Sequence, residues 1–317
     1  DLDGRRVLPA DADYAEARRL FQPRYDTVAP GAVAYPAHEG DVTVCLAFAR
    51  RTGAAAVPRG GGHSYAGWST GTGLVVDTGA LGGVDAGGAG QVRIGAGART
   101  GDVNAALAAR GVAVPTGLCP SVGIAGLTLG GGLGVSSRAY GAACDRLTGV
   151  RLVTPDGAVR DVDATHGAEL FWALRGGGAG NFGVVVEFRF LAHPVGDCAL
   201  AELHWPWRDT AALLHGWQRW LKALPDPFWS QVEFTLEPGD GPGDGPDGPA
   251  DGARAQPVPA VRVLCLGGRA ELERQLTRLA DLVGAGPRDS HVVVRGYGET
   301  MRALAGCPEG PAAQCRP

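Results

Sequence analysis

The chain of 317 residues contains a single lysine, Lys222, and a single methionine. A phosphate-binding G-x-x-x-x-G-K-[ST] loop is therefore absent. The sequence also has no G-x-S-x-G elbow, which argues against that class of hydrolase. No H-E-x-x-H sequence occurs, and no two of the seven histidines share ligand-like spacing on a predicted helix. We therefore predict no metal site.

Charge and hydrophobic patterning argue against two kinds of partner. The formal net charge of −4 gives no electrostatic case for nucleic acid or an anionic membrane. No apolar run approaches the ~20 residues that span a bilayer. The excess of arginine over lysine is typical of a GC-rich bacterial genome. Because the chain starts at Asp1 and not Met, a leader cannot be read, and both a secreted or extracytoplasmic and a cytoplasmic location stay open.

Cysteine is too sparse for a disulfide scaffold, since there are seven in the chain and no C-x-x-C pair. An odd number leaves at least one cysteine unpaired. Cys307 and Cys315 are close enough in sequence that we predict a disulfide between them. Nothing in the sequence indicates the oligomeric state.

Glycine is abundant, with 52 residues, against an ordinary share of about 7%. The glycines are not periodic and alternate with apolar runs, so neither collagen nor disorder is indicated. Such a chain forms many tight turns and close backbone approaches. This is typical of a protein that wraps around a large cofactor.

Two glycine-rich segments carry the chemistry. Arg59–Tyr65 (RGGGHSY) places three glycines before His63, and their backbone N–H groups can converge on an anion such as a pyrophosphate. Gly117–Gly123 (GLCPSVG) presents the Cys119 thiol in a tight loop, where backbone donors can favour the thiolate. Taken alone, each segment is also compatible with a structural turn or a buried cysteine.

Hydrophobic patterning predicts an alternation of strands and helices. Strands are predicted at residues 54–57, 73–77, 91–94, 150–155, 158–162, 184–190, 231–236 and 260–266. Helices are predicted at residues 41–51, 102–110, 168–174, 211–224 and 270–283. Asp102 is the expected N-cap of the second helix. Asp156-Gly157 predicts a hairpin turn, and residues 238–257 are predicted to form a mobile hairpin loop.

Gly178–Gly183 satisfies G-x-G-x-x-G, but a dinucleotide fingerprint needs a strand before it and a helix after it. Here the predicted order is reversed, so we reject a nicotinamide site, although the same glycines can still line a flavin. A change in pattern near residue 195 predicts a domain boundary. Five tryptophans follow it, for which core packing is the default interpretation and a substrate-stacking platform the alternative: Trp205, Trp207, Trp217, Trp220 and Trp229.

Five segments in this order resemble the berberine bridge enzyme-like FAD-linked oxidases of the vanillyl-alcohol oxidase/p-cresol methylhydroxylase superfamily, in particular bacterial members with bicovalent flavin. The segments are PRGGGHSYAG (58–67), PTGLCPSVGIAGLTLGGGLG (115–134), SRAYGAACD (137–145), VTPDG (153–157) and ELFWALRGGGAGNFGVV (169–185). The resemblance implies an α+β fold. Residues 1–195 would form a two-lobed FAD-binding domain of the p-cresol methylhydroxylase type. Residues 196–317 would form part of an antiparallel-sheet substrate domain with helices on one face.

The resemblance also implies roles for individual residues. His63 resembles the histidine bonded to the flavin 8α-methyl, and Cys119 resembles the cysteine bonded to C6. Further cofactor contacts are implied for Arg59, Gly60, Gly61, Gly62, Ser64, Gly117, Leu118, Val122, Gly123, Gly126, Gly183 and Val185. Tyr65 and Tyr140 lie in flavin-facing segments and are named as neighbours of the ring.

The activity implied is transfer of a hydride from an alcohol or amine carbon of a sugar or secondary metabolite to FAD, with reoxidation by dioxygen. The family's catalytic base comes from a C-terminal region for which this sequence has no counterpart, so no base is assigned. Two alternatives stay open: a dehydrogenase of the same fold with another electron acceptor, and a chain that binds flavin without catalysis.

Overall fold

The structure is a computed structural model that describes residues 1–88, 90–237 and 256–307. The described residues form two compact units. One comprises Asp1–Val195 together with the residues from Met301 onward, and the other comprises Gly196–Thr300. The assignment of residues 1–195 to a cofactor domain and 196–317 to a substrate domain stays a prediction.

The elements of the described chain are numbered in chain order. The strands are β1 (Arg5–Val7), β2 (Ala32–Tyr35), β3 (Ala56–Arg59), β4 (Leu74–Asp77), β5 (Val84–Ala86), β6 (Gln91–Gly95), β7 (Val112–Ala113), β8 (Leu147–Val153), β9 (Val159–Val162), β10 (Val184–Leu191), β11 (His193–Pro194), β12 (Asp197–His204), β13 (Phe228–Glu237), β14 (Gln256–Cys265) and β15 (Asp289–Gly296). The α-helices are α1 (Tyr14–Ala17), α2 (Glu39–Thr52), α3 (Thr100–Ala108), α4 (Ile124–Leu129), α5 (Ser137–Tyr140), α6 (Ala168–Ala173), α7 (Thr210–Leu221), α8 (Arg269–Val283) and α9 (Tyr297–Leu304).

The first unit contains two larger sheets. In one, the strand order is β1-β2-β4-β3; β4 pairs in parallel with both β2 and β3, and β1 pairs with β2 in antiparallel fashion. In the other, the order β5-β6-β10-β8-β9 is antiparallel throughout. The glycine turn that carries His63 starts where β3 ends, so the first sheet fixes its position.

The second sheet supplies most of the core of this unit. Its central strands bury Ile94, Leu152, Phe188 and Phe190 completely or almost so, and Leu107 and Ile124 pack in the same cluster. A side chain of this size contributes about 1.5–3 kcal/mol when it is fully buried. Because Leu107 belongs to α3 and Ile124 to α4, this core also holds both ends of the Cys119 loop.

The second unit is an antiparallel sheet of order β13-β14-β12-β15 with α7 and α8 against one face. Trp205 and Trp220 are fully buried in this core, and Trp217 packs against it, which confirms the core interpretation for these three. Trp207 is exposed and contacts the edge of the Phe234 ring. The α+β class is confirmed, and helices lie on one face of the sheet of the second unit.

Most predicted elements are present, with ends that differ by a few residues. The hairpin around Asp156-Gly157 is confirmed by the antiparallel pairing of β8 and β9. The expected N-cap of α3 is wrong: Arg99 occupies that position, and Asp102 lies in the first turn. The helix starts earlier because Thr100 is tied to the Cys119 loop by hydrogen bonds from its N–H and its hydroxyl. Asp102 still lies where the helix dipole favours a negative charge.

Two predictions fall wholly or largely on residues outside the described ranges. The predicted loop at residues 238–257 lies outside them except for its last two residues, which belong to β14; the strands before and after it pair in antiparallel fashion. Cys315 also lies outside, so the Cys307–Cys315 disulfide stays a prediction. Among the described residues, no helix has the length and apolar character needed to cross a membrane.

Candidate cofactor site

The two glycine-rich segments are in backbone contact. A Cβ atom added at Gly61 would lie 2.1 Å from the backbone nitrogen of Gly123, and one added at Gly123 would lie 2.2 Å from the nitrogen of Gly61. No side chain fits at either position, because real Cβ atoms do not approach other heavy atoms so closely. Glycine at both positions therefore lets the His63 turn and the Cys119 loop lie against each other.

The Arg99 guanidinium joins the same two segments from the side. Its Nη1 donates hydrogen bonds to the carbonyl oxygens of Gly61 at 2.6 Å and of Ser121 at 2.9 Å. Sequence reasoning missed Arg99, which lies outside both motifs. The available signal was weak: an arginine just before a predicted helix, in a chain rich in arginine.

His63 is half-buried and held on two sides. Its imidazole stacks on the Phe21 ring with centroids 3.9 Å apart and an interplanar angle of 17°. Its Nε2 forms a 2.9 Å hydrogen bond with the Ser121 hydroxyl. Burial, and secondarily the positive charge of Arg99, lowers the pKa of His63 below its usual value. The imidazole is therefore neutral near pH 7, which is the nucleophilic form.

Cys119 lies in a loop that is anchored to the start of α3. The Thr100 hydroxyl donates to the Cys119 carbonyl at 2.8 Å, and the Gly101 N–H donates to the Pro120 carbonyl at 3.0 Å. The Cys119 sulfur lies 3.7 Å from the Ser121 hydroxyl oxygen. Since that hydroxyl also contacts His63, the structure brings the two residues predicted to bind flavin covalently to one small region.

A cavity of about 360 Å³ runs along the contact between the two segments. Most of the predicted cofactor contacts line it: Arg59, Gly60, Gly61, Gly62, His63, Ser64, Val122, Gly123, Gly126, Gly183 and Val185. The Gly178–Gly183 segment contributes Ala179, Gly180 and Gly183 to the wall, between α6 and β10. Its order is helix, glycines, strand, which is the reverse of a nicotinamide fingerprint.

Four predicted residues are not among those that line the cavity. Gly117 and Leu118 belong to the loop before Cys119, and Cys119 itself is connected to the wall through Ser121. Tyr140 stacks on the buried His193 ring, with centroids 3.9 Å apart. Tyr65, by contrast, lines the cavity and is 72% exposed.

Arg59 contributes to this wall, but its guanidinium is committed to anchoring the turn. Its Nε pairs with the Asp77 carboxylate, and its Nη2 donates to the Ala17 carbonyl at 2.7 Å. Both charged residues are buried, at 4% and 7% exposure. A buried pair of this kind fixes where β3 ends and where the glycine turn begins.

One cluster of potential metal ligands occurs in the described residues, and it lies at the N-terminal strand: Asp3, His38 and Asp41. The buried Asp41 carboxylate accepts N–H groups from Asp3, Gly4 and Ala37 at 2.8–2.9 Å. These three donors account for the burial of the charge. Asp41 therefore ties the N-terminal strand to α2.

The cavity wall has the chemistry that FAD requires. Backbone of Gly60–Gly62 and Gly123 lines the cavity, and glycine backbone can offer amide groups to an anionic diphosphate. The apolar side chains of Val122, Leu127 and Val185 suit a flat aromatic ring. A Cβ added at Gly126 would meet no atom within 4 Å, so this part of the wall faces open space. The residues present therefore fit the cofactor.

Comparison with known proteins identifies the class of protein to which this chain is similar. A family model described as an FAD binding domain matches residues 30–163, which span α2, the His63 turn and the Cys119 loop. These residues are therefore an FAD-binding domain, and the homologues of the chain are FAD-linked oxidoreductases.

Two curated relatives show how far the similarity extends. The uncharacterized FAD-linked oxidoreductase YgaK of Bacillus subtilis is 35% identical over 242 residues, 74% of this chain and 53% of YgaK. The xylooligosaccharide oxidase of Thermothelomyces thermophilus is 35% identical over 202 residues, 61% of this chain and 40% of the oxidase. The chain thus spans about half the length, or less, of these relatives.

Solved structures extend the similarity over nearly all of the chain. Physcomitrella patens BBE-like 1 matches with a TM-score of 0.84 and 28% identity, covering 99% of this chain and 65% of that one. Glucooligosaccharide oxidase from Acremonium strictum matches with a TM-score of 0.81 and 24% identity, covering 95% and 60%. That oxidase carries a 6-S-cysteinyl, 8α-N1-histidyl FAD. At this identity the second match shows the fold only.

Proposed function

We propose that this chain is the flavin-binding part of an FAD-dependent oxidase in which FAD is bonded to both His63 and Cys119. The observation that carries the proposal is the chain of contacts from His63 Nε2 through the Ser121 hydroxyl to the Cys119 sulfur, at 2.9 and 3.7 Å. Of these two potential nucleophiles, His63 lines the glycine-walled cavity, and Cys119 is connected to the cavity wall through Ser121.

The residues of the chain bind and orient the cofactor. The glycine turn at 60–62 would hold the diphosphate, and Arg99 keeps this turn in register with the Cys119 loop. Val122 and Val185 offer apolar wall to the ring. When bound, FAD supplies the two-electron acceptor for a hydride from an alcohol or amine carbon, and dioxygen then reoxidises it. Two tethers fix the ring at its edge and leave its faces accessible.

The substrate class we propose is a sugar, an oligosaccharide or a secondary metabolite with an oxidisable alcohol or amine carbon. The xylooligosaccharide oxidase acts on an oligosaccharide by name, and its 35% identity to this chain supports the oligosaccharide option. The described residues of the cavity include no carboxylate, and Tyr65 is the titratable hydroxyl that lines it. The base that accepts the substrate proton is therefore not assigned to a residue of the cavity wall.

Mass spectrometry tests the attachment directly. The intact denatured chain is expected to carry one FAD mass, and digestion is expected to place it on the His63 and Cys119 peptides together. An adduct on His63 alone would contradict the second tether. A colourless protein without adduct would overturn the whole proposal.

Turnover distinguishes the oxidase from its alternatives. With an oligosaccharide or alcohol substrate, an oxidase consumes oxygen and releases peroxide in step with substrate oxidation. Reduction of an artificial acceptor without oxygen consumption would indicate a dehydrogenase. Bound flavin that no substrate bleaches would indicate a binding protein without catalysis.

A further inference from the structure

The Ser121 hydroxyl lies between the two residues proposed to bond the flavin. Its oxygen is 2.9 Å from His63 Nε2 and 3.7 Å from the Cys119 sulfur. A serine hydroxyl has one hydrogen to donate and can accept from a second partner. Ser121 can therefore serve both neighbours only if it accepts from one and donates to the other.

The direction of these two bonds determines which nitrogen of His63 is reactive. A neutral imidazole carries one N–H, so one ring nitrogen is a donor and the other holds a lone pair. If the Ser121 hydrogen points to the Cys119 sulfur, the oxygen accepts from Nε2–H, and Nδ1 holds the lone pair. In the reverse arrangement Nδ1 carries the hydrogen and cannot attack.

In its thiolate form, the Cys119 sulfur favours the first arrangement. The reactive form of a cysteine is the thiolate, which accepts hydrogen bonds and donates none. A Ser121 hydroxyl that donates to the thiolate has only acceptor capacity left for His63. The same contact therefore stabilises the nucleophile at Cys119 and selects the tautomer at His63.

Two further contacts restrict rotation of the imidazole. Phe21 stacks on one face of the ring at 3.9 Å, and Arg99 holds the backbone carbonyls of Gly61 and Ser121 in place. A 180° flip of the ring would put Cε1 in the place of Nε2 and break the bond to Ser121. Since ring and loop are both held, the orientation that directs Nε2 to Ser121 is maintained.

We propose that Ser121 is a positioning residue for covalent attachment of the flavin: it holds His63 in the Nε2–H tautomer and so presents Nδ1 as the nucleophile. This inference rests on the proposed function.

The attachment step balances with dioxygen as the oxidant. Nδ1 forms a bond to the 8α carbon, which loses one hydrogen as a proton. Nε2 loses its hydrogen as a second proton, which the Ser121 oxygen is placed to accept and pass on. The electron pair of the broken C–H bond enters the flavin ring together with two protons. Dioxygen then takes the electron pair and the two protons and becomes hydrogen peroxide.

The test uses the full chain, produced with little riboflavin, and then incubated with FAD in air. The fraction of His63 peptide that carries flavin is followed with time in wild type, Ser121→Ala and Ser121→Thr. We expect attachment at His63 to slow at least about 2-fold in Ser121→Ala, because an even mixture of tautomers halves the fraction of His63 with a free Nδ1. Ser121→Thr retains the hydroxyl and is expected to restore the rate.

Ser230→Ala is the matched control, because the Ser230 hydroxyl also accepts from a ring N–H, that of Trp217, at 3.0 Å. It is expected to leave attachment unchanged. Equal rates in wild type and Ser121→Ala would overturn the inference while the proposed function stood. Absence of any adduct in wild type would overturn the proposed function itself.

The tautomer is measured independently of attachment. Nitrogen-15 NMR of the imidazole in the flavin-free protein is expected to show a protonated Nε2 and a bare Nδ1 for His63 at neutral pH. In Ser121→Ala the two tautomers are expected to mix. A protonated Nδ1 in wild type would contradict the positioning role, whatever the rate of attachment.

Discussion

The Arg59–Asp77 ion pair lies behind the cavity wall almost completely buried, and its two charges depend on each other. Arg59 starts the glycine turn, and Asp77 ends β4 and also accepts the Gly79 N–H at 2.8 Å. Each charge is buried almost completely, so removing one leaves the other uncompensated. The position of the His63 turn therefore depends on a contact that lies behind the cavity wall.

Asp77→Asn is expected to lower the free energy of unfolding by about 3–5 kcal/mol, because it leaves the Arg59 charge buried and unpaired. Urea titration followed by circular dichroism measures the loss. The control is Glu273→Ala, which removes the partner of Arg269 in an exposed pair on α8. For Glu273→Ala we expect the free energy of unfolding to fall by less than about 1 kcal/mol. Equal effects in the two variants would contradict the importance of burial.

His193 is a second residue whose environment predicts a measurable property. It is 1% exposed, neither ring nitrogen has a hydrogen-bond partner among the described residues, and it stacks on Tyr140. Burial, with Arg146 adding to the effect, lowers its pKa from 6.5 to about 4. Between these two pKa values, His193 is therefore mostly neutral in the folded state and mostly protonated in the unfolded state.

Between pH 6.5 and pH 4, His193 binds a proton more readily in the unfolded chain than in the folded chain. Its contribution to stability therefore falls as the pH is lowered through this range. The contribution of His193 is fully present above pH 6.5 and amounts to ~3 kcal/mol at most. His193→Phe keeps a stacked ring and is expected to flatten this part of the stability–pH profile. Replacement of the exposed His215 by Gln serves as control and should leave the slope unchanged.

At the scale of elements, the turn after β3 and the loop before α4 act as one unit. They meet through Gly61 and Gly123, they share the Arg99 guanidinium, and the loop is tied to α3 by Thr100. Neither segment has this geometry alone. The cavity wall is therefore a product of the packing of β3, α3 and α4.

Gly61→Ala and Gly123→Ala are each expected to destabilise the protein by about 1–3 kcal/mol or more, because the new methyl group overlaps backbone of the opposite loop. Flavin content after purification should fall in parallel. Thermal unfolding and the absorbance of bound flavin provide the two measurements. A fully stable, fully loaded Gly61→Ala variant would show that the loops are not in contact.

The variant Gly126→Leu tests cofactor binding independently of the stability of the fold. A Cβ added at Gly126 meets no atom within 4 Å, and position 126 lies within α4, where leucine is a good helix former. We expect the unfolding temperature of the flavin-free protein to stay the same or rise, while the flavin content falls. Full flavin loading in this variant would place the cofactor elsewhere.

At the scale of the whole molecule, covalent attachment changes how stability depends on FAD. Ligand that binds only the folded state stabilises it by an amount that grows with free ligand, about 2.7 kcal/mol at one hundred times Kd. With the double attachment that we propose, flavin would be present at a fixed ratio, so free FAD would add nothing. We expect the unfolding temperature of wild type to be independent of added FAD.

The variant His63→Ala/Cys119→Ala provides the contrast. Its cavity retains the glycine wall, so FAD is expected to bind reversibly and to raise the unfolding temperature in proportion to the logarithm of its concentration. Differential scanning calorimetry over a series of FAD concentrations measures both proteins. A wild-type protein whose unfolding temperature also rises with FAD would indicate reversible binding and contradict the double tether.

The sequence by itself determined the local features of this protein. Runs of β-branched residues, apolar positions at helical spacing and Asp156-Gly157 predicted most strands and helices, because these depend on neighbours a few residues apart. The glycine clusters around His63 and Cys119 predicted the cofactor wall for the same reason. The edge strands β1 and β5, of three residues each, have too short a local pattern to be predicted. Sequence reasoning also missed β12 and β15 in the sheet of the second unit, although β15 contains the β-branched run Val292–Val294.

Only the tertiary structure decided which residues meet. Arg99 reaches Gly61 across 38 positions of the chain, and Ser121 reaches His63 across 58. Tyr65 and Tyr140 looked equivalent in sequence, yet only Tyr65 lines the cavity, and Tyr140 packs on His193. The physical reason is that a hydrogen bond or a stacked ring depends on how distant segments return to each other, which no local pattern encodes.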